Sequence, residues 1–123
     1  MSFVELYTHY PAARRRIDVR DHRLDLSGRH IIWYDTIENL DQVEGLDTLD
    51  LSYNELPSLD LPHIPIKNCK NLESLRTLDL SFNKIRSPTG LESLPNLEYL
   101  DLAHNERRSS RSAGWRYGEI SKR

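Results

Sequence analysis

The sequence predicts an α/β solenoid, in which short coils stack in one direction and line up a short parallel sheet along the concave side. Three observations predict it. First, Val43, Leu46, Leu49, Leu51, Asn54 and Leu56 recur, offset for offset, as Leu72, Leu75, Leu78, Leu80, Asn83 and Ile85. A third copy runs Leu94, Leu97, Leu100, Leu102, Asn105, and a degenerate first copy has Leu24, Leu26 and Ile31, with Arg29 where the asparagine stands elsewhere. Second, Leu24, Leu49, Leu78 and Leu100 are 25, 29 and 22 residues apart, a period that marks stacked supersecondary units. Third, each copy holds two leucines separated by one residue, the spacing that puts both on one face of a strand.

With 123 residues and 14.4 kDa, the chain has room for one hydrophobic core. Its 19 Leu, 8 Ile, 3 Val and 2 Phe are ample for folding. The 17 basic and 19 acidic residues leave a net charge of -2, which argues against a uniformly basic nucleic-acid binder. The charge is segregated: residues 1–23 carry +2, residues 24–106 carry -9 and residues 107–123 carry +5. The organisation expected is therefore an N-terminal cap and basic segment (1–23), a repeat body (24–106) and a basic tail (107–123). Cys69 stands alone, so no internal disulfide forms. No apolar stretch reaches the length of a signal peptide or a membrane span. The expected setting is soluble, reducing and intracellular.

Taken in order, Ser2 and Glu5 read as a capping box ahead of Leu6 and Tyr7, with Pro11 beyond. This predicts a short helix laid over the first coil as an N-terminal helical cap. Strands follow at the paired leucines, and the asparagines Asn54, Asn83 and Asn105 sit where the chain bends out of each strand. Their amides are expected to satisfy backbone groups left unpaired by the bend. Short helical or irregular segments, such as Ile37 to Gln42 and Gly90 to Leu94, close the convex side. Pro57, Pro62 and Pro65 disfavour a long helix in the longest spacing and predict a convex loop carrying Cys69. After Asn105, Arg107 takes the next apolar position and Arg108, Ser109, Ser110, Arg111 and Ser112 follow, so the C-terminal end is poorly capped. Residues including Trp115, Tyr117 and Ile120 fold back as a lid, a second chain covers the edge, or the natural protein continues.

Alternation puts Asp25, Asp50, Asp79 and Asp101 on the concave face at roughly 5 Å intervals. Thr48, Thr77 and Tyr99 flank them on one side, and Ser52, Ser81 and Ala103 on the other. Tyr53, Phe82 and His104 mark the strand exits. Carboxylates beside aromatics suit docking of a basic or polar partner; the same aspartates also suit a merely solvated surface. Arg14, Arg15 and Arg16 with Arg20 and Arg23, and Arg107, Arg108 and Arg111 with Arg116, are candidate contacts to RNA phosphates or an acidic partner, or else solvated charge. Arg107 to Ser110 also matches a basophilic kinase site, where phosphate would cancel much of the tail's charge. A shallow sheet gives no pocket to split the protonation of paired carboxylates. His9, His22, His30, His63 and His104 lack companions at metal-ligand spacing, and no glycine-rich phosphate loop occurs. No catalytic residue, metal or cofactor is therefore expected, and the chain reads as non-enzymatic.

The segments Leu49-Asp50-Leu51-Ser52-Tyr53-Asn54 and Leu78-Asp79-Leu80-Ser81-Phe82-Asn83 resemble the short intracellular class of leucine-rich repeats, typified by regulatory subunits of type-1 protein phosphatase. The resemblance spans roughly residues 24 to 106 and implies a leucine-rich-repeat solenoid that binds other proteins. A flank is more pointed: Val19-Arg20-Asp21, Leu24-Asp25-Leu26, Gly28, Ile31 and Ile37-Glu38-Asn39-Leu40 resemble the start of the A-prime subunit of a spliceosomal small nuclear ribonucleoprotein. That family opens with a short helix and holds a partner with an RNA-recognition domain. The likeness implies a scaffold that touches RNA indirectly, with the nucleus favoured over the cytoplasm. Trp33 to Thr36 lengthen the first coil, and further repeats are missing after Asn105. Three expectations stand side by side: a ribonucleoprotein scaffold, a phosphatase regulator docking through Tyr53, Phe82 and Tyr99, and a direct RNA binder.

Overall fold

The structure, a computed structural model, describes residues 2–58, 70–86, 94–106 and 119–121. Four three-residue strands, β3 (Arg23–Asp25), β5 (Thr48–Asp50), β6 (Thr77–Asp79) and β7 (Tyr99–Asp101), pair in parallel and in chain order. Their register is that of the repeat: Leu24, Leu49, Leu78 and Leu100 are successive partners, as are Asp25, Asp50, Asp79 and Asp101. The leucines of each L-x-L point inward and are essentially fully buried, together with Leu46, Leu56, Leu72, Leu75 and Ile85. Each such leucine contributes roughly 2 kcal/mol relative to exposure, and one continuous core runs from Val4 to Leu102.

Two hydrogen-bond ladders lock the coils together. At the start of each strand, one carbonyl accepts from two successive amides of the next coil: His22 O from Asp47 and Thr48, Asp47 O from Arg76 and Thr77, Arg76 O from Glu98 and Tyr99. At the exit, the asparagines do the same work with side chains. Asn83 Oδ1 accepts from Leu56 N at 3.0 Å, while Nδ2 donates to Leu51 O at 2.9 Å and Leu80 O at 3.1 Å. Asn54 and Asn105 repeat the pattern one coil earlier and later. The structural reading of these three residues follows from amides, buried at Asn54 and Asn83 and half-buried at Asn105, with partners on two coils. Arg29 breaks the ladder where no earlier coil exists to be bonded.

The N-terminal cap is not a helix. Residues expected to form one make β1 (Phe3–His9), which pairs antiparallel with β2 (Ala12–Asp18) on one side and β4 (Thr36–Glu38) on the other. The physical reason is alternation. Val4 and Leu6, joined by Ile17 and Ile37, turn their side chains onto the first coil, and a two-residue connection at Tyr10–Pro11 closes the hairpin. Burying two residues at period 2 outweighs a capping box that would stabilise only one helix end. Ile37 to Gln42, expected to be helical or irregular on the convex side, is divided between β4 and a 3₁₀ turn, Leu40–Gln42. Together with a second 3₁₀ turn, Lys70–Ser74, this is the whole helical content among the described residues.

Asp35 holds the cap to the lengthened first coil. It is buried, and its carboxylate accepts from His9 N at 2.9 Å and Ile32 N at 3.0 Å. The far edge of the parallel sheet, expected to be poorly capped, with fold-back of residues including Ile120 as one alternative, is paired by β8 (Glu119–Ser121), antiparallel to β7. Pro62, Pro65, Cys69, Gly90, Ser109, Ser110, Trp115, Arg116 and Tyr117 lie outside the described residues.

Candidate functional site: the concave face and its arginine-lined end

Parallel pairing brings the four aspartates into one row, and each carboxylate turns onto its own strand exit. Asp50 Oδ1 accepts from Ser52 N at 3.0 Å and Ser52 Oγ at 2.6 Å. Asp25 with Ser27 and Asp79 with Ser81 repeat this, and Asp101 accepts from Ala103 N at 2.9 Å. The bond from the Ser27 hydroxyl, followed by that from its amide, holds Asp25 below the usual aspartate range, because both favour the charged carboxylate. The acidic row therefore also fastens the turns that follow the strands. Ser52 and Ser81 are buried, as is Thr48, whereas Thr77 and Tyr99 are half-buried. The surface of the face thus comes from the aspartates and from the exit residues Tyr53, Phe82 and His104.

Those exit residues form a column. Tyr53 and Phe82 stack at 4.3 Å between ring centroids with 7° between planes, and Phe82 and His104 at 4.2 Å with 15°. Tyr53 is 58% and Phe82 38% exposed, so a face-to-face aromatic strip lies open beside the carboxylates. Offset stacking of this kind adds about 1 kcal/mol per pair. It also fixes the rings, so a partner need not order them on binding.

The arginines divide by strand alternation. Arg14 and Arg16 lie on the outer face of the hairpin, where Arg14 is bonded to Glu38, 3.9 Å from Glu5 and over the Tyr7 ring. Arg16 pairs with Asp18 at 2.9 Å and stands 4.1 Å over the Phe3 ring. Arg15 points to the other face, opposite Leu6. There it joins Arg20, Arg23 and Arg29 along an open cleft of about 700 Å³ at the coil-one end of the sheet. Arg107, Arg108 and Arg111 lie outside the described residues.

Two features escape the sequence reading. The hairpin carries a second aromatic group, in which Tyr7, His9, Tyr34, Tyr10 and Trp33 meet edge to face at 4.6 to 5.8 Å. Only the fold brings residues 7–10 to residues 33–34. The other is Gly28, which holds in coil one the exit position that Tyr53, Phe82 and His104 hold later. Extending the alignment by two residues from Leu26 would have found it. Among the described residues no group of His, Cys, Asp and Glu could hold a metal ion, and no helix is long and apolar enough to cross a membrane.

A family model described as Leucine Rich repeats (2 copies) matches residues 73–110. Comparison with curated proteins and with solved structures gives no match.

Proposed function

We propose that this chain is a non-enzymatic scaffold that docks a protein partner on its concave face within an intracellular multi-subunit assembly. Leucine-rich repeats generally mediate protein–protein interaction and are typically non-enzymatic. The observation that carries the reading is one chemistry displayed on successive coils at a fixed interval: the row of Asp25, Asp50, Asp79 and Asp101 beside the stacked Tyr53, Phe82 and His104. A partner with basic or polar groups spaced along an extended segment meets a carboxylate and a ring at each step.

The finer form we favour is a subunit resembling the ribonucleoprotein A-prime protein, with RNA held by the partner and the nucleus as the setting. It rests on the residues from Val19 to Leu40 quoted above; the hairpin in place of that family's opening helix counts against it. A phosphatase regulator, docking a catalytic subunit through Tyr53, Phe82 and Tyr99, is the alternative, and a second chain is a further candidate partner at the C-terminal edge. Direct RNA contact through the hairpin narrows to Arg15, since Arg14 and Arg16 are paired within the chain. Capture of the native protein at mild salt tests the proposal. A stoichiometric partner is expected, and Tyr53→Ala with Phe82→Ala should weaken its retention at least tenfold. Retention that is unchanged in the double variant overturns docking on this face.

A further inference from the structure

The strand-exit position of every coil has left-handed backbone: φ is 63° at Gly28, 58° at Tyr53, 59° at Phe82 and 60° at His104. The backbone register is also shared, since Gly28 N donates to Ser52 O at 3.0 Å just as Tyr53 N donates to Ser81 O at 3.0 Å. Three of the four positions carry a ring, and the rings stack. At Gly28 the column stops. Phe82 covers one face of Tyr53, and the opposite face looks toward coil one, where, beyond residues 27–29, no atom lies within 4 Å of the place a Cβ of residue 28 would occupy. The gap is one coil, and hence one planar group, thick.

The surroundings of the gap are basic. Gly28 lines a cavity of about 430 Å³ together with Thr8, Tyr10, Arg15, Arg29 and His30, and none of its lining residues is acidic. That volume is in the range of small-ligand sites. His30 faces Glu55 at 3.5 Å. Arg15 and Arg29 also line the neighbouring cleft, where five arginines, Arg16 among them, meet Asp18, Asp21 and Asp25; Asp18 pairs with Arg16, and Asp25 accepts from Ser27 and draws on the charges of Arg29 and Arg23. Among the described residues Arg15 and Arg20 make no ion pair. Arg29 reaches only Asp25 O, at 3.4 Å, and its Nε is buried with no acceptor. A planar slot beside Arg15, which makes no ion pair, and Arg29, whose Nε lacks an acceptor, selects a flat ring that carries negative charge. A guanidinium from a partner would stack as well but would be repelled by Arg15 and Arg29.

We propose that this end of the solenoid binds a nucleotide unit, its base stacked on Tyr53 above Gly28 as a further plane of the column and its phosphate held by Arg15 and Arg29. This goes beyond docking of a protein on the concave face and does not depend on it. A nucleotide unit comes either as a free nucleoside phosphate or as a residue of single-stranded RNA, where stacking on aromatics with arginine on the backbone is a sequence-tolerant mode of binding.

The test uses the full chain, titrated with adenosine monophosphate by calorimetry and with a fluorescent single-stranded oligoadenylate by anisotropy. Tighter binding of the oligonucleotide assigns the site to RNA, and equal binding of the monophosphate assigns it to the free nucleotide; both support the proposal. Gly28→Tyr fills the slot; the left-handed backbone strains a side chain there and should lower the unfolding midpoint, but Tyr53 holds the same angle in coil two, so the variant should fold while weakening binding at least tenfold. Arg15→Ala with Arg29→Ala should weaken binding and flatten its dependence on salt. Should Gly28→Tyr fail to fold, Tyr53→Ala removes the platform and carries the same expected loss. Binding of neither probe, binding indifferent to these substitutions, or a slot that takes an arginine-rich peptide instead would overturn the proposal.

Discussion

Coils two to four are near copies of one another, whereas coil one and the hairpin that closes it follow different rules. In the inner coils one asparagine spans two coils, one aspartate fastens one exit turn and one ring stacks on the next. In coil one the asparagine is Arg29, the ring is Gly28, and an inserted turn at residues 33–34 leads into β4. Position in the stack explains the difference. An inner coil has neighbours on both sides, so each residue must satisfy groups on both. The first coil has a solenoid neighbour on one side only. Its other side is closed by an antiparallel sheet with its own pairing, which releases Arg29 and Gly28 from the structural duties of the repeat.

The largest effect that would sharpen this contrast is Asn83→Ala. It leaves buried Leu56 N without its acceptor and takes one of the two amide donors from Leu51 O and from Leu80 O, which keep Asn54 and Asn105; one unsatisfied amide and two lost bonds cost about 3 kcal/mol together. Arg29→Ala, at the equivalent place, should move stability by less than about 0.5 kcal/mol. Urea unfolding of the two variants checks the pair, and equal losses would break the distinction. Next comes Asp35→Ala, which leaves His9 N and Ile32 N without acceptors, worth about 2 kcal/mol. Amide exchange should rise in residues 3–18 more than in the inner strands, because the cap opens before the repeats. The smallest effect is in the pH dependence. Asp25 is held below its ordinary value by Ser27, so the folded chain binds this proton more weakly than the unfolded one, and stability rises with pH across the window. The contribution is complete above the usual aspartate value of about 4 and is lost as pH falls below it. Unfolding midpoints measured down that acid limb should decline less steeply in Asp25→Asn.

Sequence reading reached the repeats because their signal is local and redundant. The L-x-L pairs, the asparagine after them and the aspartate between them hold the same offsets in copy after copy, and burial with hydrogen bonding follows from those offsets alone. It missed the hairpin because Ser2 and Glu5 satisfy a helix-start pattern while Val4, Leu6 and Ile17 satisfy a strand pattern, and a short segment supports either until a surface is available to bury one face. The first coil supplies that surface. The candidate site divides in the same way. The row of aspartates was legible from alternation. That Ser52, Ser81 and Thr48 sink into the turns was not, and neither was the separation of Arg15 from Arg14 and Arg16, since both depend on which side of a strand meets the core.

The coil can be read from residue order alone, in its inward leucines, its asparagine bend and its outward carboxylate, because each coil repeats the solution of the last and periodicity is written along the chain. How the stack begins, where its free aromatic face lies and which arginines gather beside it depend on packing between segments far apart in the chain. Those features join residues 3–18, 28–38 and 53, and contacts between distant segments are fixed only when strands have chosen the face they bury.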